Sequence, residues 1–198
     1  MTPQLYDRNE EHFAGRKLHL GCGGVYLRGY VNCDMHGNRV DGEPEHATDI
    51  TDYYKGLQGS SLKLPERREC VVDEHCDLRH IDRFTQVCKI VAIQCLEHLP
   101  PEGVEEALQN WYASTVPGGI VIVSVPDTEK TLRMLSERDR TDFAVRHLVG
   151  KRDDYWYYHR SHWTRDTLHA AFWRAGFRQT WEIENIHFYP AIVLKARK

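Results

Sequence analysis

Residues 17–34 read KLHLGCGGVYLRGYVNCD, and this stretch decides the fold. Leu18, His19 and Leu20 form a short, mostly apolar run of the kind that becomes a buried strand, and the run stops at a glycine cluster, Gly21, Gly23 and Gly24. Glycine has no Cβ and tolerates positive φ, so main-chain N–H groups there can come close to a ligand. A second short strand, Tyr30 to Cys33, follows and ends in Asp34. A carboxylate at a strand tip can accept hydrogen bonds from both ribose hydroxyls of a nucleoside. Together the two strands predict a nucleoside pocket at the carboxyl ends of parallel strands. Too few residues separate Gly21 from Gly29 for the helix that normally joins parallel strands, so loop amides rather than a helix N-terminus would meet the ligand.

Outward from this stretch the pattern stays α/β. Residues 7–15 are polar, end in Gly15, and read as an N-terminal helix or arm able to fold over the ligand. Residues 36–45 are rich in Gly, Pro and charge and read as an exposed loop; residues 46–58 read as a helix leading to the next strand, ECVVD at 69–73. The run KIVAIQCL, 89–96, is nearly continuous and apolar, as a central parallel strand should be. Pro100, Pro101 and Glu102 start a helix to about Ser114, with Val104, Leu108, Trp111 and Tyr112 at helical spacing. Pro117, Gly118 and Gly119 turn the chain into a strand at 120–125. One or two amphipathic helices are expected over 128–149, then the aromatic and histidine cluster DDYWYYHRSHW. Thr164 and Asp166 cap a helix to Ala175 that Gly176 ends, and 179–184 with 187–196 complete the sheet as an antiparallel hairpin.

A chain of 198 residues without repeat, low-complexity tract or linker is expected to form one domain over 1–198, with 1–16 an arm and about 128–163 a lid or acceptor-binding insertion. With 41% hydrophobic and 28% charged residues it has the composition of a soluble globular protein. No apolar run approaches a membrane helix and the N-terminus lacks a signal-peptide profile, which predicts a cytoplasmic protein with no membrane partner. The net charge of −3 argues against broad nucleic-acid binding. Six cysteines without a C-x-x-C pair predict reduced structural thiols, and twelve scattered histidines show no metal-ligand spacing, so no metal is expected.

The segment LHLGCGG resembles the first motif of class I S-adenosylmethionine (SAM) dependent methyltransferases, and GYVNCD resembles a subset with a Gly-aromatic-x-Asn-x-Asp second strand. VAIQCLEHLPPEG, VPGGIVIVSVPD and RDTLHAAFWRAGF resemble later landmarks of that family in the expected order, so the resemblance runs from about residue 16 to the end. It implies a Rossmann-like, seven-stranded, mostly parallel sheet with helices on both faces and an antiparallel C-terminal hairpin. It also implies SAM as cofactor. One departure is His19, which stands where many members carry an acid.

On this reading Gly21, Cys22, Gly23, Gly24, Asp34 and Gln94 bind the cofactor, and Asp77 with Leu78 meets the adenine. Asp49, within TDITD, offers a competing choice for the adenine-side acid. If the acceptor is a hydroxyl, His98, His159 or His162 is the candidate base, with Asp127 a further contact to the acceptor; for an amine or activated carbon, positioning alone suffices. The aromatic cluster at 155–163 suits a polar ring or sugar, with apolar faces to stack on and polar tips to orient it. The expected function is methyl transfer to a small-molecule acceptor. Two alternatives stay open: a SAM-fold protein that is regulatory or runs other chemistry, and a dinucleotide oxidoreductase, against which the short loop counts. Apolar residues at 128–149 would serve equally as a lid or as a homodimer surface.

Overall fold

The computed structural model describes residues 14–53, 69–137, 140–150, 157–185 and 187–198. Its centre is a seven-stranded sheet of β1 (Arg16–Leu20), β2 (Val31–Asp34), β5 (Glu74–His75), β6 (Val87–Ile93), β7 (Thr115–Pro126), β8 (Gln179–Ile183) and β9 (Ala191–Arg197), in the order β5-β2-β1-β6-β7-β9-β8. The first five are parallel; β9 runs antiparallel to both β7 and β8, as the predicted C-terminal hairpin requires. Strand order reverses between β1 and β6, which leaves a crevice at the carboxyl ends of those two strands.

Side-chain alternation distributes the core. In β6 every residue is buried; Ile90 and Ala92 join one cluster while Val91 and Ile93 join another, the period of two that a strand covered on both faces must show. The larger cluster packs helix α1 (Pro101–Ser114), through Val104, Leu108 and Trp111, and helix α4 (Arg165–Ala175), through Leu168 and Phe172. The opposite face is covered by Val25, Leu27, Tyr30, Ile50 and Tyr53; of the helix expected over 46–58, residues 50–53 are helical, residues 46–49 are instead a turn and the bridge of Thr48 to Leu27, and 54–58 lie outside the described residues. Two helices, α2 (Thr128–Met134) and α3 (Thr141–Val149), form where one or two were expected over 128–149.

The third strand is not where ECVVD placed it. Val71–Val72 (β4) pairs with Asn38–Arg39 (β3) in a separate two-stranded parallel sheet, and the strand beside β2 is the polar pair Glu74–His75, in register with Cys33 and Asp34. An edge strand of two residues needs no apolar signal, because its pairing and not its burial defines it. The expected N-terminal arm lies almost wholly outside the described residues, as do Tyr155 and Trp156. Among the described residues no helix is long and apolar enough to cross a membrane.

Candidate active site

The loop after β1 is shaped by one buried amide. Asn32, fully buried in β2, accepts at Oδ1 from the Leu27 N–H (2.7 Å) and from His19 Nδ1 (3.0 Å), and its Nδ2 donates to the Leu27 and Tyr30 carbonyls (3.0 and 3.1 Å). Because Nδ2 faces carbonyls, Oδ1 is the acceptor and His19 must carry its proton on Nδ1. Burial lowers the His19 pKa to about 4, so the ring is neutral at pH 7. Asp73 completes the clamp, accepting from the Asn32 N–H (2.7 Å) and the Tyr26 hydroxyl (2.5 Å). This use of Asn32 was visible only as a motif letter in the sequence; its partners come from three segments.

At the mouth of the crevice Gly21 has φ +62°, and a Cβ there would lie 2.5 Å from Cys95 Cβ, so only glycine fits between the ends of β1 and β6. The Cys95 thiol donates to the Leu20 carbonyl (3.4 Å) and closes the floor. The Cys22 N–H donates to the Cys33 carbonyl (3.1 Å), and the Gly23 N–H donates to Asp34 Oδ2 (2.9 Å). The glycine loop and the strand-end acid thus face one another, and the Asp34 charge also acts on Cys95 and on His98 across the crevice. Two hydrogen bonds leave the carboxylate, with about four lone-pair sites, room for further donors.

Asp77 lies just past β5 and is gripped by Arg79 through its N–H (2.9 Å) and guanidinium (2.5–3.1 Å), which holds its pKa below the usual carboxylate range. Leu78 is buried, and its carbonyl accepts from Trp111 Nε1 (2.7 Å), so α1 fixes this loop. Asp49, the competing acid, instead pairs at the surface with Arg28 (3.3 Å). Gln94 takes φ +53° where β6 ends, and its side chain reaches Ser124 Oγ (3.1 Å), which in turn bonds His187 Nε2 (2.7 Å).

Past Gln94 a 3-10 turn, Leu96–His98, carries Glu97 and His98. The backbone N–H groups of Arg160 and Ser161 both donate to the Glu97 carbonyl (2.8 and 3.1 Å), and His98 Nδ1 meets the Tyr158 carbonyl (3.2 Å). These bonds stitch the segment after residue 156 onto the turn and bring the His159 ring to 5.0 Å from that of His98. The Glu97 carboxyl is 1% exposed, neither oxygen has a hydrogen-bond partner among the described residues, and burial pushes its pKa up to about 8. Burial lowers the His98 pKa, and burial with neighbouring histidines lowers that of His159 to about 4.

Two candidates fall elsewhere. Asp127 caps α2, accepting from the Lys130 N–H (3.0 Å) and pairing with Lys130 Nζ (3.1 Å), which gives its carboxylate a structural duty. His162 is exposed, whereas the flanking Ser161 and Trp163 are buried and bonded to each other (3.1 Å). Tyr157 and Tyr158 remain nearly half exposed beside His98 and His159. Nothing in the sequence signals the role of Glu97, because an acid before a histidine at a strand end carries no sign of its burial.

A methyltransferase domain family matches residues 45–181, more than half of the chain. No curated protein matches significantly. Among solved structures, a SAM-dependent methyltransferase from Methanosarcina mazei is 13% identical, with a TM-score of 0.54 and 98% of each chain covered. Human N-acetylserotonin methyltransferase in complex with SAM is 13% identical (TM-score 0.54), covering 93% of this chain and 47% of that one. Magnesium protoporphyrin IX methyltransferase from Synechocystis with bound SAH, the demethylated cofactor, is 12% identical (TM-score 0.51), covering 96% and 78%. The chain spans about half the length of several such structures. The chain belongs to this methyltransferase domain family, and its sheet order gives it the Rossmann-like fold of the SAM-dependent methyltransferases it resembles.

Proposed function

We propose that the protein transfers the SAM methyl group to a hydroxyl of a small polar acceptor. The observation that carries the reading is the Gly23 amide facing the Asp34 carboxylate at the strand-order switch, with Glu97, His98 and His159 on the opposite wall. Asp34 takes the ribose hydroxyls, the loop Gly21, Cys22, Gly23 and Gly24 lies against the methionine end, its Cys22 and Gly23 amides being held by Cys33 and Asp34, Asp77 and Leu78 meet the adenine, and the Gln94 backbone lines the space beside the sulfonium. In the reaction an acceptor oxygen lone pair forms the new O–C bond, the C–S bond electrons return to sulfur, and the hydroxyl proton leaves. The cofactor supplies the electrophile, so the protein's main task is to align oxygen and methyl and to exclude water.

The acceptor enters between Tyr157, Tyr158 and the insertion helices α2 and α3, which act as its lid. Aromatic faces beside imidazoles suit a sugar or hydroxylated ring. A hydroxyl acceptor is favoured over an amine because an amine needs little beyond positioning, whereas this wall concentrates groups able to bind or move an acidic proton. The test is SAH formation from SAM across a panel of hydroxylated and amine acceptors. Turnover with hydroxyl compounds that weakens by at least about tenfold in Tyr158→Ala supports the reading; turnover confined to amines, or none with SAH still bound, overturns it.

A further inference from the structure

Glu97, His98 and His159 each place a ligand atom within 4.8 Å of the others. Metal bonds of about 2.0–2.2 Å put neighbouring ligand atoms roughly 3–4 Å apart, so three such atoms can share one ion with little adjustment. They are not hydrogen-bonded to one another: the Glu97 oxygens have no partner among the described residues, although the carboxyl is 1% exposed and two imidazoles stand beside it. A buried carboxylate without a partner is costly in its charged form, and a cation beside it offsets that cost. His98 Nδ1 must donate to the Tyr158 carbonyl, which can only accept, and the Gln94 backbone also meets the ring, so its orientation is fixed; a backbone carbonyl orienting a ligand histidine is the usual arrangement at metal sites.

We propose that Glu97, His98 and His159 bind a divalent first-row transition-metal ion. One carboxylate and two imidazoles suit such an ion better than Ca²⁺ or Mg²⁺, which prefer oxygen ligands. Three protein ligands leave positions open, and the neighbouring tyrosines mark where an acceptor oxygen would take one. Bound there, the hydroxyl would lose its proton to solvent more readily, which removes the need for a strong protein base. This role for the ion rests on the hydroxyl-methylation reading; the ion site itself does not. The second cluster, Cys22, Asp34 and Cys70, differs because its groups are engaged: Asp34 by the Gly23 and His36 amides, Cys22 at the Val71 carbonyl, and Cys70 at the His36 carbonyl.

The experiment is titration of the chelator-treated full chain with Co²⁺, followed by visible absorption and equilibrium dialysis, with circular dichroism as the check on folding and SAH affinity measured in parallel. The expected result is one Co²⁺ per chain, with affinity reduced at least about tenfold in both Glu97→Gln and His159→Asn and retained in the Cys22→Ser/Cys70→Ser double variant. Should Glu97→Gln fail to fold, His159→Asn alone decides. No stoichiometric binding, binding unchanged in His159→Asn, or binding lost in the cysteine variant overturns the proposal. Metal binding without SAH binding would sink the donor-site reading and leave the ion site standing.

Discussion

At the scale of single residues, buried neutral histidines tie stability to pH. His19 is held by Asn32 and His187 by Ser124, and burial lowers each pKa from 6.5 to about 4. Between those values the unfolded chain binds more protons than the fold, so acid favours unfolding; the contribution is present above pH 6.5 and is lost as pH falls toward 4. Each ring accounts for up to roughly 3 kcal/mol. Urea denaturation at pH 7 and pH 4.5 should show a large loss of stability that shrinks in His187→Gln. An unchanged midpoint across this window would mean that these rings are not buried and neutral.

At the scale of elements, the placement of His159 depends on how α3 ends. Gly150 stands past Val149 with φ +70°, and a Cβ there would lie 2.0 Å from the Tyr157 carbonyl oxygen and 2.8 Å from the His159 ring. The His159 N–H donates to the Val149 carbonyl (3.1 Å), so the end of this helix places the ring. Gly150→Ala should therefore cost about 1–3 kcal/mol of stability and at least tenfold in methyl transfer, while SAH affinity stays within about twofold. Unaltered turnover in that variant would show that His159 is positioned by other means. The elements themselves were largely legible beforehand. Helix α1 announced itself by Pro101 at its start and apolar residues at helical spacing, and α4 by Thr164 and Gly176, because caps and periodicity are local properties. Glu74–His75 was not legible, since two polar residues become a strand only by pairing with Cys33 and Asp34.

At the scale of the molecule, sheet order converts distant segments into one site. The switch between β1 and β6 sets the Gly21–Asp34 loop beside the Glu97–His98 turn, and the segment through His159 closes over it. The facing of the glycine loop and Asp34 could be read from the sequence because both lie on one continuous stretch. The acceptor half could be read only as a list of residue types: nothing local told that His159 would reach His98, that His162 would face solvent, or that Asp127 would cap a helix. The central claim is that Asp34 and the glycine loop grip the nucleoside of SAM. Isothermal calorimetry with SAH on the wild type and Asp34→Ala tests it most directly. One SAH per chain, with affinity weakened about ten- to a hundredfold in the variant, is predicted from the loss of charged hydrogen bonds; no heat with the wild type, or equal affinity in the variant, would contradict the account.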